Sequence, residues 1–165
     1  MMRVLGLDPG SATVGYGIVE ENQGEITVVA YGAITTSPQD GDSARRLQLI
    51  YEATNELIAT HKPDAAAVEE LFFGRNITTA IKVGQARGVL LLALANADLP
   101  LAEYSPPKIK EAVAGYGNAS KEQVQFMVTN LLNLAETPRP DDAADGLAVA
   151  LTYCQYQRQE RLYGG

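Results

Sequence analysis

An α/β domain, with a mixed five-stranded sheet flanked by helices, is the fold this sequence predicts, and three observations carry it. The apolar run Val4-Leu5-Gly6-Leu7 does not alternate with polar residues, as expected of a central strand covered on both faces. Two segments with a two-residue period follow directly, so the chain opens with an antiparallel meander. After the meander come a helix, a strand, a long helix and a short strand, and then helices only.

Each element has its own local warrant. Arg3 to Asp8 is the first strand, and Pro9-Gly10-Ser11 turns the chain. Val14, Tyr16 and Ile18 alternate with Gly15 and Gly17 in the second strand, whose small residues leave one face open; Ile26 to Ile34 makes the third. Leu47, Ile50, Tyr51, Thr54, Leu57 and Ile58 keep helical spacing in a segment that starts near Ser43 and ends before Pro63. Ala65 to Glu69 is the fourth strand, Asn76 to Ala97 a long helix, and Leu101 to Tyr104 a short fifth strand. Ser105 before Pro106-Pro107 marks one helix start, and Ser120 with Gln123 has the form of a capping box. Pro138 and Pro140 set off the last helix, with Asp141 expected as its N-cap. Gly115-Tyr116-Gly117-Asn118 is a loop between helices.

At 165 residues the chain has the size of one domain, expected over 1–157 with a short tail at 158–165. Hydrophobic residues at 46% and charged residues at 20% fall in the ordinary globular range. The longest apolar stretch, Val89 to Ala95, is far short of a membrane span, and Met1-Met2-Arg3-Val4 has no signal-peptide form. A cytoplasmic protein with no membrane partner is expected. Cys154 is the single cysteine and His61 the single histidine, so neither an intrachain disulfide nor a Cys/His zinc site can form. The net charge of −7 counts against nucleic acid, because phosphate binding relies on Lys and Arg releasing counterions. Steering depends on local potential, however, and metal would neutralise part of the acidic excess.

Four acids end or begin apolar segments where charge is costly unless it is paired or bound to a cation: Asp8, Glu69, Asp142 and Asp145. The pattern points to a hard divalent metal with oxygen ligands, such as Mg²⁺. Two such ions about 4 Å apart can clamp the attacking and leaving oxygens of a phosphodiester, so metal-dependent cleavage of nucleic acid is the leading expectation. Asp8 closes its strand at the edge where α/β proteins bind ligands. Strand alternation puts Glu69 and Glu70 on opposite faces without saying which face holds the site. Helical spacing allows Asp142 with Asp145 or Asp141 with Asp145.

Arg75, Thr78, Lys82 and Gln85 form a polar stripe on the long helix that could follow a phosphate backbone. Ala80, Gly84 and Gly88 share another row, suited to close backbone approach by the protein's own sheet or by a second copy. Phe72 and Phe73 follow the strand acid in a loop, where an exposed aromatic could stack on unpaired bases. Lys108, Lys110 and Lys121 would ring the same edge if the later helices return over it.

Taken together, V-L-G-L-D-P-G-S, V-E-E-L-F-F, I-K-V-G-Q-A-R-G-V and D-D-A-A-D-G-L-A-V-A resemble the RuvC-type Holliday junction resolvases over nearly the full length. The resemblance implies an RNase H-like fold, a homodimer, two Mg²⁺ per active site with Mn²⁺ able to substitute, and paired nicks across four-way junction DNA. It also implies work beside the branch-migration motor complex RuvA-RuvB. By the family motif, the catalytic and metal-binding acids are Asp8, Glu69, Asp142 and Asp145. Phe72 matches an aromatic at the junction centre, and Lys110 and Lys121 match basic residues near the cut phosphate. The DNA-binding set expected here is Phe72, Arg75, Lys82, Lys110 and Lys121, with Lys121 also catalytic. Two other readings share the scaffold: a non-catalytic junction-binding protein and a nucleotide-binding domain of the actin and sugar-kinase kind.

Overall fold

Strand β1, Met2–Pro9, lies at the centre of the sheet because both of its faces are apolar: Val4, Leu5 and Leu7 are fully buried. The computed structural model describes residues 1–71 and 76–164. The meander continues through β2, Thr13–Asn22, and β3, Glu25–Thr35, both antiparallel to their neighbours. Helix α1, Ser43–His61, starts at Asp42, whose carboxylate accepts a hydrogen bond from Arg45 N. Strand β4, Ala65–Glu69, then runs parallel to β1, and helix α2, Ile77–Asn96, leads to the parallel edge strand β5, Leu101–Tyr104. The sheet order is β3-β2-β1-β4-β5, the mixed five-stranded arrangement expected.

Helices α3, Pro106–Ala114, and α4, Lys121–Leu131, start at Ser105 and Ser120 as their capping patterns predict. The last helix, α5, covers Asp141–Tyr163. Its N-cap is Pro140, not Asp141: the Asp141 carboxylate accepts from Arg139 at 2.7 Å, so it does not cap the helix. Helix α5 also runs unbroken through 158–163, where a tail was expected, and Arg161 pairs with the buried Glu21 of β2 at 2.7 Å.

Alternation along the strands divides the core in two. Val4, Val19, Ala65 and Ala67 face α3, α4 and α5; Leu5, Leu7, Ile18, Ala66 and Val68 face α1 and α2. The glycines do not leave the α5 face open. That face is filled by helix backbone, since a Cβ on Gly17 would lie 2.5 Å from Leu147 N and one on Gly146 2.5 Å from the Tyr16 carbonyl carbon. A Cβ on Gly15 would collide with the backbone oxygen of Asp142. Glycine is needed at these positions because the helix packs directly on the strands, with no room for a side-chain layer.

Helix α2 has the length and mean hydropathy of a membrane-crossing segment. It carries Lys82 and Arg87, however, and packs Ala86, Leu90 and Leu94 into the α1 side of the core, which makes it a core helix of this fold.

Candidate active site

The parallel pairing of β1 and β4 brings two acids out at one edge. Leu7 is in register with Val68, so the next residues, Asp8 and Glu69, leave the sheet side by side. Parity then decides between the two glutamates. Asp8 follows Val4 and Gly6, and Glu69 follows Ala65 and Ala67, all on the α5 face, whereas Glu70 has the opposite parity.

Helix α5 supplies the rest of the constellation. Gly15 pairs with Asp8 across the β1–β2 ladder, and the Asp142 backbone rests on Gly15, so the first turn of α5 lies over Asp8. Carboxylate oxygens of Asp8, Asp142 and Asp145 lie within 4.8 Å of one another. Glu69 hydrogen-bonds to Asp8 from the neighbouring strand. Asp141 is one position off this face, its carboxylate on Arg139, which resolves the choice that helical spacing left open.

Crowding of the carboxyl groups alters their chemistry. Burial, then the hydrogen bond and charge of Glu69, push Asp8 up to about 9. Burial and the charge of Asp8 push Asp145 up to about 7, opposed by Lys121, whose Nζ is 3.7 Å from Asp145 Oδ2. The crowding that raises Asp8 and Asp145 is of the kind a divalent cation would relieve, and carboxylate oxygens are the donors such a hard ion takes.

Two clefts open on the acids. One, of about 420 Å³, is lined by Asp8, Glu69, Glu70, Asn76 and Thr79. The other, of about 340 Å³, is lined by Asp8, Glu69, Asp145, Lys110 and Lys121. Lys110 and Lys121 therefore face the same space as the acids. Lys108 is exposed outside both clefts. Lys82 and Gln85 line a separate cleft beside α1, and Thr78 is exposed. Phe72, Phe73 and Arg75 lie outside the described residues.

Sequence reasoning missed Arg87 of the Gly-Gln-Ala-Arg-Gly run. It donates from Nε to the Glu69 carbonyl at 3.3 Å and pairs with Glu103 on β5, bracing the strand end that carries Glu69. An arginine flanked by apolar residues on a core helix was the available signal.

Converging carboxylates over the first strand of a mixed sheet ordered 3-2-1-4-5 define the class: an RNase H-like nuclease with an acidic cluster compatible with metal binding. Residues 4–153 match the model of the crossover junction endodeoxyribonuclease RuvC family. A curated RuvC of Moorella thermoacetica is 52% identical over 167 residues, covering 99% of each chain. The chain belongs to this family. The Thermus thermophilus RuvC structure superposes with a TM-score of 0.88 at 40% identity, and T. thermophilus RuvC in complex with a Holliday junction substrate with 0.89 at 39%, each over 96% of both chains.

Proposed function

We propose that this chain resolves four-way DNA junctions in recombination and repair. It acts as a homodimeric, Mg²⁺-dependent endodeoxyribonuclease in the cytoplasm, beside the branch-migration motor RuvA-RuvB. The observation that carries the reading is the cluster of Asp8, Asp142 and Asp145, with Glu69 beside Asp8, open to a cleft with two lysines.

Asp8, Glu69, Asp142 and Asp145 would hold the metal, which when bound supplies an activated water and charge for the leaving oxygen. Mg²⁺ fits the all-oxygen donor set, and Mn²⁺ would substitute in it. Lys121 restrains Asp145 and, with Lys110, faces the space where the scissile phosphate would lie. In the reaction water attacks phosphorus, the bond to the 3′ oxygen breaks, and that oxygen takes a proton, leaving 5′-phosphate and 3′-hydroxyl ends. Phe72 is assigned to stacking at the junction centre, and Arg75 and Lys82 to the DNA backbone, by their place in the sequence.

The dimer reading is supported by the outer face of α2. Ile77, Ile81 and Leu92 are 75%, 56% and 55% exposed, and among the described residues a Cβ on Gly88 would meet nothing within 4 Å. Of the row of small residues, Ala80 is buried and a Cβ on Gly84 would meet the Leu71 side chain, so only its Gly88 end joins this exposed face. A C2 pair would present two equivalent sites to a two-fold symmetric junction.

Asp8→Asn and Asp145→Asn test the assignment. Each should abolish cutting in Mg²⁺ while junction binding persists, because the amide keeps the shape but loses the charge that holds metal. Near wild-type cutting by Asp8→Asn would sink the proposal.

A further inference from the structure

The cleft beside α1 lies on the other face of the sheet from α5, between the turn after β1, the end of β3, the start of α1 and the middle of α2. Arg46 and Lys82 face it together with the hydroxyls of Ser11, Thr36 and Ser43 and the amide of Gln85. No carboxylate lines it, although the chain as a whole carries a charge of −7. The nearby acids of the 37–42 segment are occupied: Asp40 accepts from Ser37 N and Asp42 from Arg45 N. Among the described residues neither Arg46 nor Lys82 forms a salt bridge.

The cleft is built rigidly. Arg46 donates from Nε to Thr36 Oγ1 at 3.1 Å and from Nη2 to the Thr36 carbonyl at 3.3 Å, which leaves Nη1 available. Thr36 N in turn donates to the Ala12 carbonyl at 3.1 Å, and Gly10 N to Thr13 O at 2.9 Å closes the turn that follows Asp8. The cation is thus tied by hydrogen bonds to the loop that leaves the catalytic strand. The cavity is about 60 Å³, and at roughly 30 Å³ per water it has room for a phosphoryl group but not for a nucleoside.

We propose that this cleft binds one backbone phosphate of the junction strand near the cut. Ser11 is three residues from Asp8, so their Cα atoms are at most about 11 Å apart. Allowing roughly 5 Å of side-chain reach at each end, the phosphate held and the scissile one are at most about 21 Å apart, which at roughly 3.4 Å of rise per nucleotide is about six nucleotides. Arg46 and Lys82 are positioning residues: they fix the register of the strand so that one phosphodiester meets the acids.

The proposal rests on the junction-cleavage reading and is tested by binding in the absence of metal to four-way junctions with single methylphosphonates at successive positions around the cut. For wild type, one neutralised position within about six nucleotides of the cut should weaken binding; for Lys82→Gln, which removes a side chain that forms no salt bridge among the described residues, the same position should cost nothing further. Losing one phosphate contact should also flatten the salt dependence, so that between 50 and 200 mM salt wild-type affinity falls about 3.5-fold more than that of the variant. Arg46→Lys with Lys82→Gln should lose no more than one contact's worth, because both serve one phosphate.

Equal methylphosphonate losses in wild type and variant at every position would overturn the cleft assignment. So would thermal stabilisation of wild type, but not of Lys82→Gln, by inorganic phosphate combined with unchanged junction binding, which would mean a free-phosphate site. Wild type that failed to bind junctions at all would instead remove the functional reading beneath it.

Discussion

Asp8→Asn should make the metal-free protein more stable while destroying its activity. The Asp8 carboxyl is pushed from its ordinary 3.8 up to about 9 by burial and by Glu69. Between those values the folded protein holds a proton that the unfolded chain has lost. Stability from this group is therefore fully present below pH 3.8 and declines as pH rises toward 9. From 3.8 to pH 7, at about 1.36 kcal/mol per pH unit, the cost reaches at most about 4 kcal/mol. Asp8 is partly accessible to water, so screening reduces this to about 2–4 kcal/mol. Asparagine mimics the protonated carboxyl and carries no such cost. For a chain of this size the gain corresponds to a Tm rise of about 4–16 °C at pH 7. Thermal melts in chelator at pH 5, 7 and 8.5, repeated with Mg²⁺, provide the assay. The gap between variant and wild type should widen with pH, and Mg²⁺ should stabilise wild type far more than the variant. Parallel pH dependences in chelator, or a variant less stable than wild type at pH 7, would refute the reasoning.

Gly15→Ala should destabilise the fold by about 3 kcal/mol or more, because the added methyl collides with the Asp142 backbone instead of a movable side chain; urea titration measures it, and a loss below about 1 kcal/mol would contradict the close approach. Gly88→Leu lies on the exposed face of α2 and should give a folded monomer, since a Cβ there meets nothing within 4 Å among the described residues. Sedimentation with circular dichroism checks this: a folded dimer would exclude the face from the contact, and an unfolded chain would place it against the core.

Much of the acidic cluster was legible because charge at the end of an apolar run is expensive. Asp8 and Glu69 stood out from Val4-Leu5-Gly6-Leu7 and Ala65-Ala66-Ala67-Val68 without any knowledge of topology. The choice between Glu69 and Glu70 was not legible, because parity names a face only after the helices covering that face are known. Asp141 competed with Asp142 for a similar reason: its neutralisation by Arg139 depends on the turn into α5. Gly15 and Gly17 were read as an open face because a missing side chain gives no sign of what takes its place. Arg46 was invisible as a site residue, since its partner Thr36 lies ten residues away across the connection between β3 and α1. Helix starts at Ser105 and Ser120 were read correctly because capping is a local interaction.

The central claim is tested most directly by incubating the wild-type chain in Mg²⁺ with a synthetic four-way junction whose four strands are each labelled at the 5′ end. The account predicts paired nicks at symmetric positions in two opposing strands, with products that DNA ligase reseals because they carry 5′-phosphate and 3′-hydroxyl ends. Chelator should prevent the cutting, and linear duplex of the same sequence should survive. An intact junction in Mg²⁺ and Mn²⁺ under conditions where the protein binds it would contradict the account, as would cutting that persists in chelator.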